Sequence, residues 1–161
     1  MAKTEKDGRA MGRTEQAEFT NMCMLQREDG KMLFQKRVDP DWAGVVFPGG
    51  HVEAGESFYH SVIREMQEET GLTVKAPQLC GVKQFQTKDG ARYVVMLYKA
   101  TEFEGTLCSS REGEVLWLSA EEAESIGYAN GFAEMLRLFL DDSLHELTYT
   151  KENDQWRHNF Y

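Results

Sequence analysis

Between Gly49 and Leu72 the chain reads GGHVEAGESFYHSVIREMQEETGL, and no other stretch constrains the fold as tightly. Ser57 suits an N-cap and Gly71 suits the left-handed residue after a helix, which together bracket a helix of about fourteen residues. At about 100° per residue, with Val62 as origin, Phe58 falls at about −40°, Met66 at about +40° and Ile63 at about +100°, a stripe that faces a core. Glu69 falls at about −20°, inside that stripe, while Glu65 at about −60° and Glu68 at about −120° line its edge.

Like charges within one helical turn repel, and burying them costs more, so the arrangement needs compensating cations. A divalent metal is the natural candidate, and oxygen ligands favour magnesium or manganese over zinc. The helix pattern alone leaves a second reading open: an exposed acidic helix with Glu69 paired to a nearby Lys or Arg.

The remaining composition narrows the setting. A chain of 161 residues that is 41% hydrophobic, with nine Phe, six Tyr and three Trp, fits one domain with a real core. It has no apolar run long enough to span a membrane, and the opening MAKTEKDGRAMGRTEQ lacks the apolar segment of a secretory signal, so a soluble, cytoplasmic protein is expected. Cys23, Cys80 and Cys108 are odd in number and widely spaced, which reads as buried or half-buried free thiols rather than a disulfide framework or zinc knuckle. The four histidines show no metal-ligand spacing. A net charge of −9 disfavours a stable nucleic-acid complex, although an anionic small molecule could still bind through metal ions.

Residues 1–16 read as a flexible tail before one domain over residues 17–161. FTNMCML (Phe19 to Leu25) and KMLFQKR (Lys31 to Arg37), joined by REDG, predict a hairpin. A loop with Pro40 and Trp42 leads to VVF and the Pro48, Gly49, Gly50 turn. After the acidic helix, PQLCGVKQFQT and ARYVVMLYKATEF predict two strands around KDGA, and EVLWLS another. SAEEAESI predicts a short helix capped by Ser119, NGFAEMLRLFLDD an amphipathic one, and HELTYTKENDQWRHNFY a closing hairpin.

From Gly50 through Glu56 to REMQEETGL, the order of residues matches at every specified position the signature of the Nudix hydrolases, G-x5-E-x7-R-E-U-x-E-E-x-G-U, where U is aliphatic. FPGG and the strand order resemble that family as well. The resemblance implies an α/β fold, a Nudix-type α/β/α sandwich with a mixed β-sheet and a loop-helix-loop catalytic motif. It also implies Mg²⁺, with Mn²⁺ able to substitute, held by Glu65, Glu68, Glu69 and the carbonyl of Gly49. Arg64 would hold a glutamate in place. By similarity to the MutT-like branch, Glu65 would take the water proton with Glu56 in support, and a later loop offers Glu112 or Glu114 as a further ligand, Glu112 being preferred.

The signature reads a diphosphate and is silent about the group attached to it. The segment LFQKRVDPDWAGVVFPGG resembles MutT-like sanitising enzymes, which implies that Arg37 contacts phosphates and that Phe47 lines the base pocket. Phe47 reads equally well as core. Asn130 would bond a purine edge, with a plain helix cap as the alternative. The proline that ADP-ribose hydrolases tend to carry about fifteen residues beyond the signature is missing here. The expected activity is therefore Mg²⁺-dependent hydrolysis of a nucleoside triphosphate to monophosphate and pyrophosphate, foremost of oxidised purines such as 8-oxo-dGTP. The alternatives are a diphosphatase acting on a dinucleotide or nucleotide sugar, and a non-catalytic ligand sensor of the same fold.

Overall fold

The computed structural model describes residues 14–161. Most of the expected tail, residues 1–13, lies outside them. Its last residues are engaged by Arg92, whose N–H donates to the Gln16 carbonyl at 2.9 Å and whose guanidinium pairs with Glu15 at 2.5 Å.

Strand β1 (Ala17–Leu25) is buried on both faces over its second half, which makes it an inner strand rather than half of a surface hairpin. Met22 and Met24 point into one apolar cluster and Cys23 and Leu25 into another, as the two-residue period of a strand requires. Strand β2 (Met32–Arg37) leaves this partner at once. The REDG turn closes with a single bridge, Gln26 to Met32, and β2 joins β3 (Gly44–Val46) and β8 (Gly113–Leu118) in a separate three-stranded antiparallel sheet. The predicted hairpin is thus corrected: β1 pairs instead, in parallel, with β6 (Arg92–Ala100), since a strand apolar on both faces needs cover on both.

The main sheet runs β1-β6-β5-β9-β10, with β5 at Gln78–Gln86, β9 at Glu146–Glu152 and β10 at Gln155–Phe160. It is mixed, parallel at β1/β6 and β5/β9 and antiparallel elsewhere. Hairpins β5–β6 and β9–β10 follow the predicted turns, the second through Asn153 and Asp154 at positive φ. Two short strands, β4 (Leu72–Lys75) and β7 (Glu102–Gly105), pair beside the main sheet.

Helices cover both faces. Helix α1 (Phe58–Thr70) buries Val62 and Met66 against Cys23, Leu25 and Tyr98. Helix α3 (Phe132–Leu140) buries Phe132, Met135 and Phe139 against Phe34, Phe47 and Leu97, each large side chain contributing about 1.5–3 kcal/mol. Between β8 and α3 lies α2 (Ala120–Ile126), started by a full capping box of Ser119 and Glu122. The result is an α/β/α sandwich on a mixed sheet.

Two expectations about burial change. Phe58, at the first turn of α1, is 39% exposed and packs on Phe19 with ring centroids 5.3 Å apart, because the core ends one turn further along the helix. Cys108 is exposed in the loop after β7, whereas Cys23 is buried and Cys80 half-buried. No helix among the described residues is long and apolar enough to cross a membrane.

Candidate active site

Helix α1 begins where its sequence says it should. The Ser57 hydroxyl accepts from the His60 N–H at 3.1 Å, and Gly71 closes the helix at φ 73°. That fixes the rotation of the acidic turn. Glu69 is 6% exposed, and one of its oxygens accepts from the Gly49 N–H at 3.1 Å and from the Gln35 amide at 3.3 Å. Burial pushes its carboxyl up to about 7; the Gly49 bond opposes the rise, while Glu65 and Glu112 add to it. Glu65 is raised as well, chiefly by burial and against the pull of Arg64.

At two positions of the loop before α1 an added side chain would collide, with backbone at Gly49 and with the Glu65 side chain at Gly50. A Cβ at Gly49 would stand 2.1 Å from the Asn21 carbonyl oxygen, and one at Gly50 would stand 2.4 Å from the Glu65 carboxyl carbon. Glycine here brings backbone against the acidic turn.

Arg64 organises the other side. Its Nε and Nη2 take the two oxygens of Glu56 at 2.8 and 2.9 Å, Nη2 also donates to the His51 carbonyl at 2.9 Å, and Nη1 donates to Glu65 at 2.9 Å and Glu68 at 3.2 Å. Arg64 thus bonds three glutamates, Glu56, Glu65 and Glu68. Both oxygens of Glu56 being spent on Arg64, its carboxyl is drawn below the usual range and it anchors the arginine.

Glu65 and Glu69 open into a cavity of about 600 Å³, the size of small-molecule sites. Gly49, Arg37, Glu112 and Asn130 also line it. Arg37 pairs with Glu112 at 3.3 Å, donates to Gln35 at 3.2 Å and lies over the Trp42 ring at 5.1 Å; its Nε is buried without a partner among the described residues. Gln35 thus links Arg37 to Glu69. Glu68 stands outside the cavity on the exposed edge, and Glu114 sits in β8 opposite Lys36. The Asn130 side chain does not cap α3, whose N-cap is Gly131 and which has no side-chain cap bond. The main-chain carbonyl of Asn130 accepts from the Trp42 indole N–H at 2.9 Å.

Phe47 is corrected. It is 1% exposed and packs against Phe34, Phe132 and Phe139 at 4.8 to 5.0 Å, so it belongs to the core and presents no face to a base. The aromatic surface of the cavity comes from residues the sequence reading passed over: Trp42, Phe85 and Tyr93, with Lys83 beside them. A lysine two residues before Phe85, and so on the same face of β5, was the available signal.

The donor set is all oxygen, and the charge of Glu65 adds to the rise of Glu69 as that of Glu68 adds to the rise of Glu65, a combination that suits a hard divalent cation. Among the described residues no three acidic, His or Cys side chains converge as a cage, because Glu68 turns to Arg64 and Glu112 to Arg37.

The NUDIX domain model matches residues 20–139. The uncharacterised Nudix hydrolase YvcI of Bacillus subtilis is 36% identical over 138 residues, 81% of this chain and 85% of that one. A CTP pyrophosphohydrolase of Escherichia coli is 30% identical over 120 residues, 73% of this chain and 87% of that one. The crystal structure of a MutT protein from Bacillus halodurans superposes with a TM-score of 0.73 at 29% identity, covering 89% of this chain and 97% of that one. With a family model spanning most of the chain and a sandwich that a MutT protein shares, this chain belongs to the Nudix hydrolases, among their MutT-like members.

Proposed function

We propose that this chain hydrolyses nucleoside triphosphates to monophosphate and pyrophosphate with Mg²⁺, or Mn²⁺ in its place, and that its preferred substrates are purine nucleotides, 8-oxo-dGTP foremost. The observation that carries the reading is that Glu65 and Glu69 share one cavity with Arg37 and Asn130. Glu65, Glu68, Glu69 and the Gly49 carbonyl would hold the cation, with Glu112 joining from its loop. When bound, a divalent cation neutralises the bridging phosphates and lowers the pKa of an attacking water.

The residues of the chain do the rest. Arg37 offers its fork to the phosphate oxygens, and its unpartnered Nε has a donor to spare. Glu65 accepts the proton of the attacking water; partial burial makes its carboxylate more basic than an exposed one, and the 2.9 Å bond from Arg64 aims it. Glu56 acts through Arg64. Asn130, free of capping duty, donates to and accepts from a purine edge.

A nucleotide panel with Mg²⁺, scored for pyrophosphate against orthophosphate, tests the reading. Pyrophosphate release with 8-oxo-dGTP at the head supports it; turnover confined to dinucleotides or nucleotide sugars refutes the substrate class. No turnover by correctly folded protein, with Mg²⁺ or Mn²⁺, refutes the activity. Asn130→Ala should lower kcat/KM for 8-oxo-dGTP about tenfold to a hundredfold, corresponding to about 1–3 kcal/mol, and leave pyrimidine triphosphates nearly unchanged. Equal slowing of every nucleotide would remove the base-reading role.

A further inference from the structure

The cavity has two chemically different ends. Carboxylates, Arg37 and backbone glycines occupy one; the other is a wall built on a single face of the main sheet. Register places Lys83 opposite Val95, Phe85 opposite Tyr93, and Lys83 opposite Leu147, so Lys83, Phe85, Tyr93 and Val95 all point to the α3 side. The rings of Tyr93 and Phe85 lie near-parallel with centroids 5.2 Å apart, Tyr149 continues the row at 6.0 Å, and His158 closes it at 4.4 Å.

Lys83 is the anomaly on that wall. It is 8% exposed, yet among the described residues its ammonium has neither a carboxylate within ion-pair reach nor a hydrogen-bond acceptor. Its nitrogen hangs over the Tyr149 ring at 4.6 Å and the Phe85 ring at 5.6 Å and borders the cavity. Burial lowers its pKa to about 8, partly offset by the attraction of Glu134. Burying most of a lysine without an ion-pair partner costs stability, which the ring faces of Tyr149 and Phe85 and the attraction of Glu134 repay only in part. A ligand acceptor in the cavity would supply the missing hydrogen bond.

The geometry points to a base-reading site in which the Lys83 ammonium donates to a carbonyl oxygen of a purine lying against Phe85 and Tyr93, selecting 6-oxopurines over 6-aminopurines. An ammonium has three donors and no acceptor. It therefore bonds the exocyclic carbonyl oxygen at position 6, as lysine does with guanine, and meets the exocyclic amine that adenine carries there donor to donor. The flat aromatic row supplies the stacking surface that Phe47, sunk in the core, does not. The inference rests on the reading of the cavity as a nucleotide site and adds to it the class of base and the residue that chooses it.

Equilibrium binding of dIMP and dAMP tests this without any turnover. The two differ in the 6-substituent and in the N1 hydrogen that accompanies it. The wild-type chain should bind dIMP about tenfold or more tightly than dAMP, as expected for a hydrogen bond to a charged donor. Lys83→Met, similar in volume and free of the unpaired charge, should bring the two dissociation constants within about twofold of each other while dAMP binding changes little. A wild-type ratio below about twofold overturns the proposal whether or not the variant folds, as does equal weakening of both nucleotides in Lys83→Met, the mark of a phosphate contact. Pyrophosphate release is scored separately: selective binding without turnover refutes the hydrolase reading and leaves the base site standing, and turnover without selectivity does the reverse.

Discussion

Replacing Glu69 by Gln isolates the energetic tension in the acidic turn. The Glu69 carboxyl rises from an ordinary value near 4.5 to about 7 because it is buried, with Glu65 and Glu112 adding repulsion. A raised carboxyl pKa means that the folded state holds a proton the unfolded state has lost, so stability falls as pH climbs between those two values. Below pH 4.5 both states are protonated and the penalty vanishes; above pH 7 it is complete, at roughly 3 kcal/mol for this shift. Gln keeps an oxygen for the Gly49 N–H and the Gln35 amide and turns a neutral amide toward Glu65. In EDTA, urea unfolding should find Glu69→Gln more stable than wild type by roughly 1.5 kcal/mol at pH 5.5 and roughly 3 kcal/mol at pH 8. Glu65 persists in both proteins, so the cost of its own burial cancels from the comparison. Saturating Mg²⁺ or Mn²⁺ at pH 8 should reverse the order, since a ligand of the native state stabilises by mass action and the variant lacks a ligand oxygen. A stability gap that is flat with pH, or a variant less stable than wild type at pH 8 in EDTA, would refute the account of Glu69 as a strained, buried carboxylate.

The two glycines before α1 should fail in different ways. Gly49→Ala drives a Cβ into backbone at Asn21 and should cost about 3 kcal/mol or more by thermal or urea unfolding, whereas Gly50→Ala meets only the Glu65 side chain and should keep its fold while losing most turnover. Normal stability in Gly49→Ala would show that the loop can move. Arg37→Ala should raise KM for triphosphates about tenfold or more, with kcat less affected; an unchanged KM and a lowered Tm would make the Glu112 pair structural. Arg64→Lys keeps the charge but loses the fork that grips Glu56 and Glu65 together, so kcat should fall about a hundredfold with melting temperature little changed, and near-normal kcat would dismiss the positioning role.

Helix α1 was legible because everything that defines it is local: Ser57, Gly71 and the carboxylate spacing all lie within one short segment. The limits of that reading are local too. A helical wheel ranks Phe58 with Val62 but carries no information on where the neighbouring strand ends, and Phe58 lies past it. The REDG turn suggested a hairpin because short connections usually join paired strands, yet the true partner of β1 is β6, distant in the chain and joined in parallel. The run MCML, apolar on both faces, is the local mark of an inner strand. Phe47 sits beside the signature in sequence while its ring faces the opposite way, into the core. The aromatic wall of the cavity was invisible for the same reason. Trp42, Lys83, Phe85 and Tyr93 meet only after three separate stretches have folded together.

The row of rings Tyr93, Phe85, Tyr149 and His158 crosses four strands, and its last two members lie beyond residue 139, where the family match ends. Phosphate chemistry and the outer part of this wall are consequently written in different portions of the gene. Drift in the closing hairpin can shift Lys83 and Phe85 through Tyr149 while Glu65 and Glu69 stay untouched, so two descendants of one ancestor could keep the same scissile bond and part company over what is attached to it.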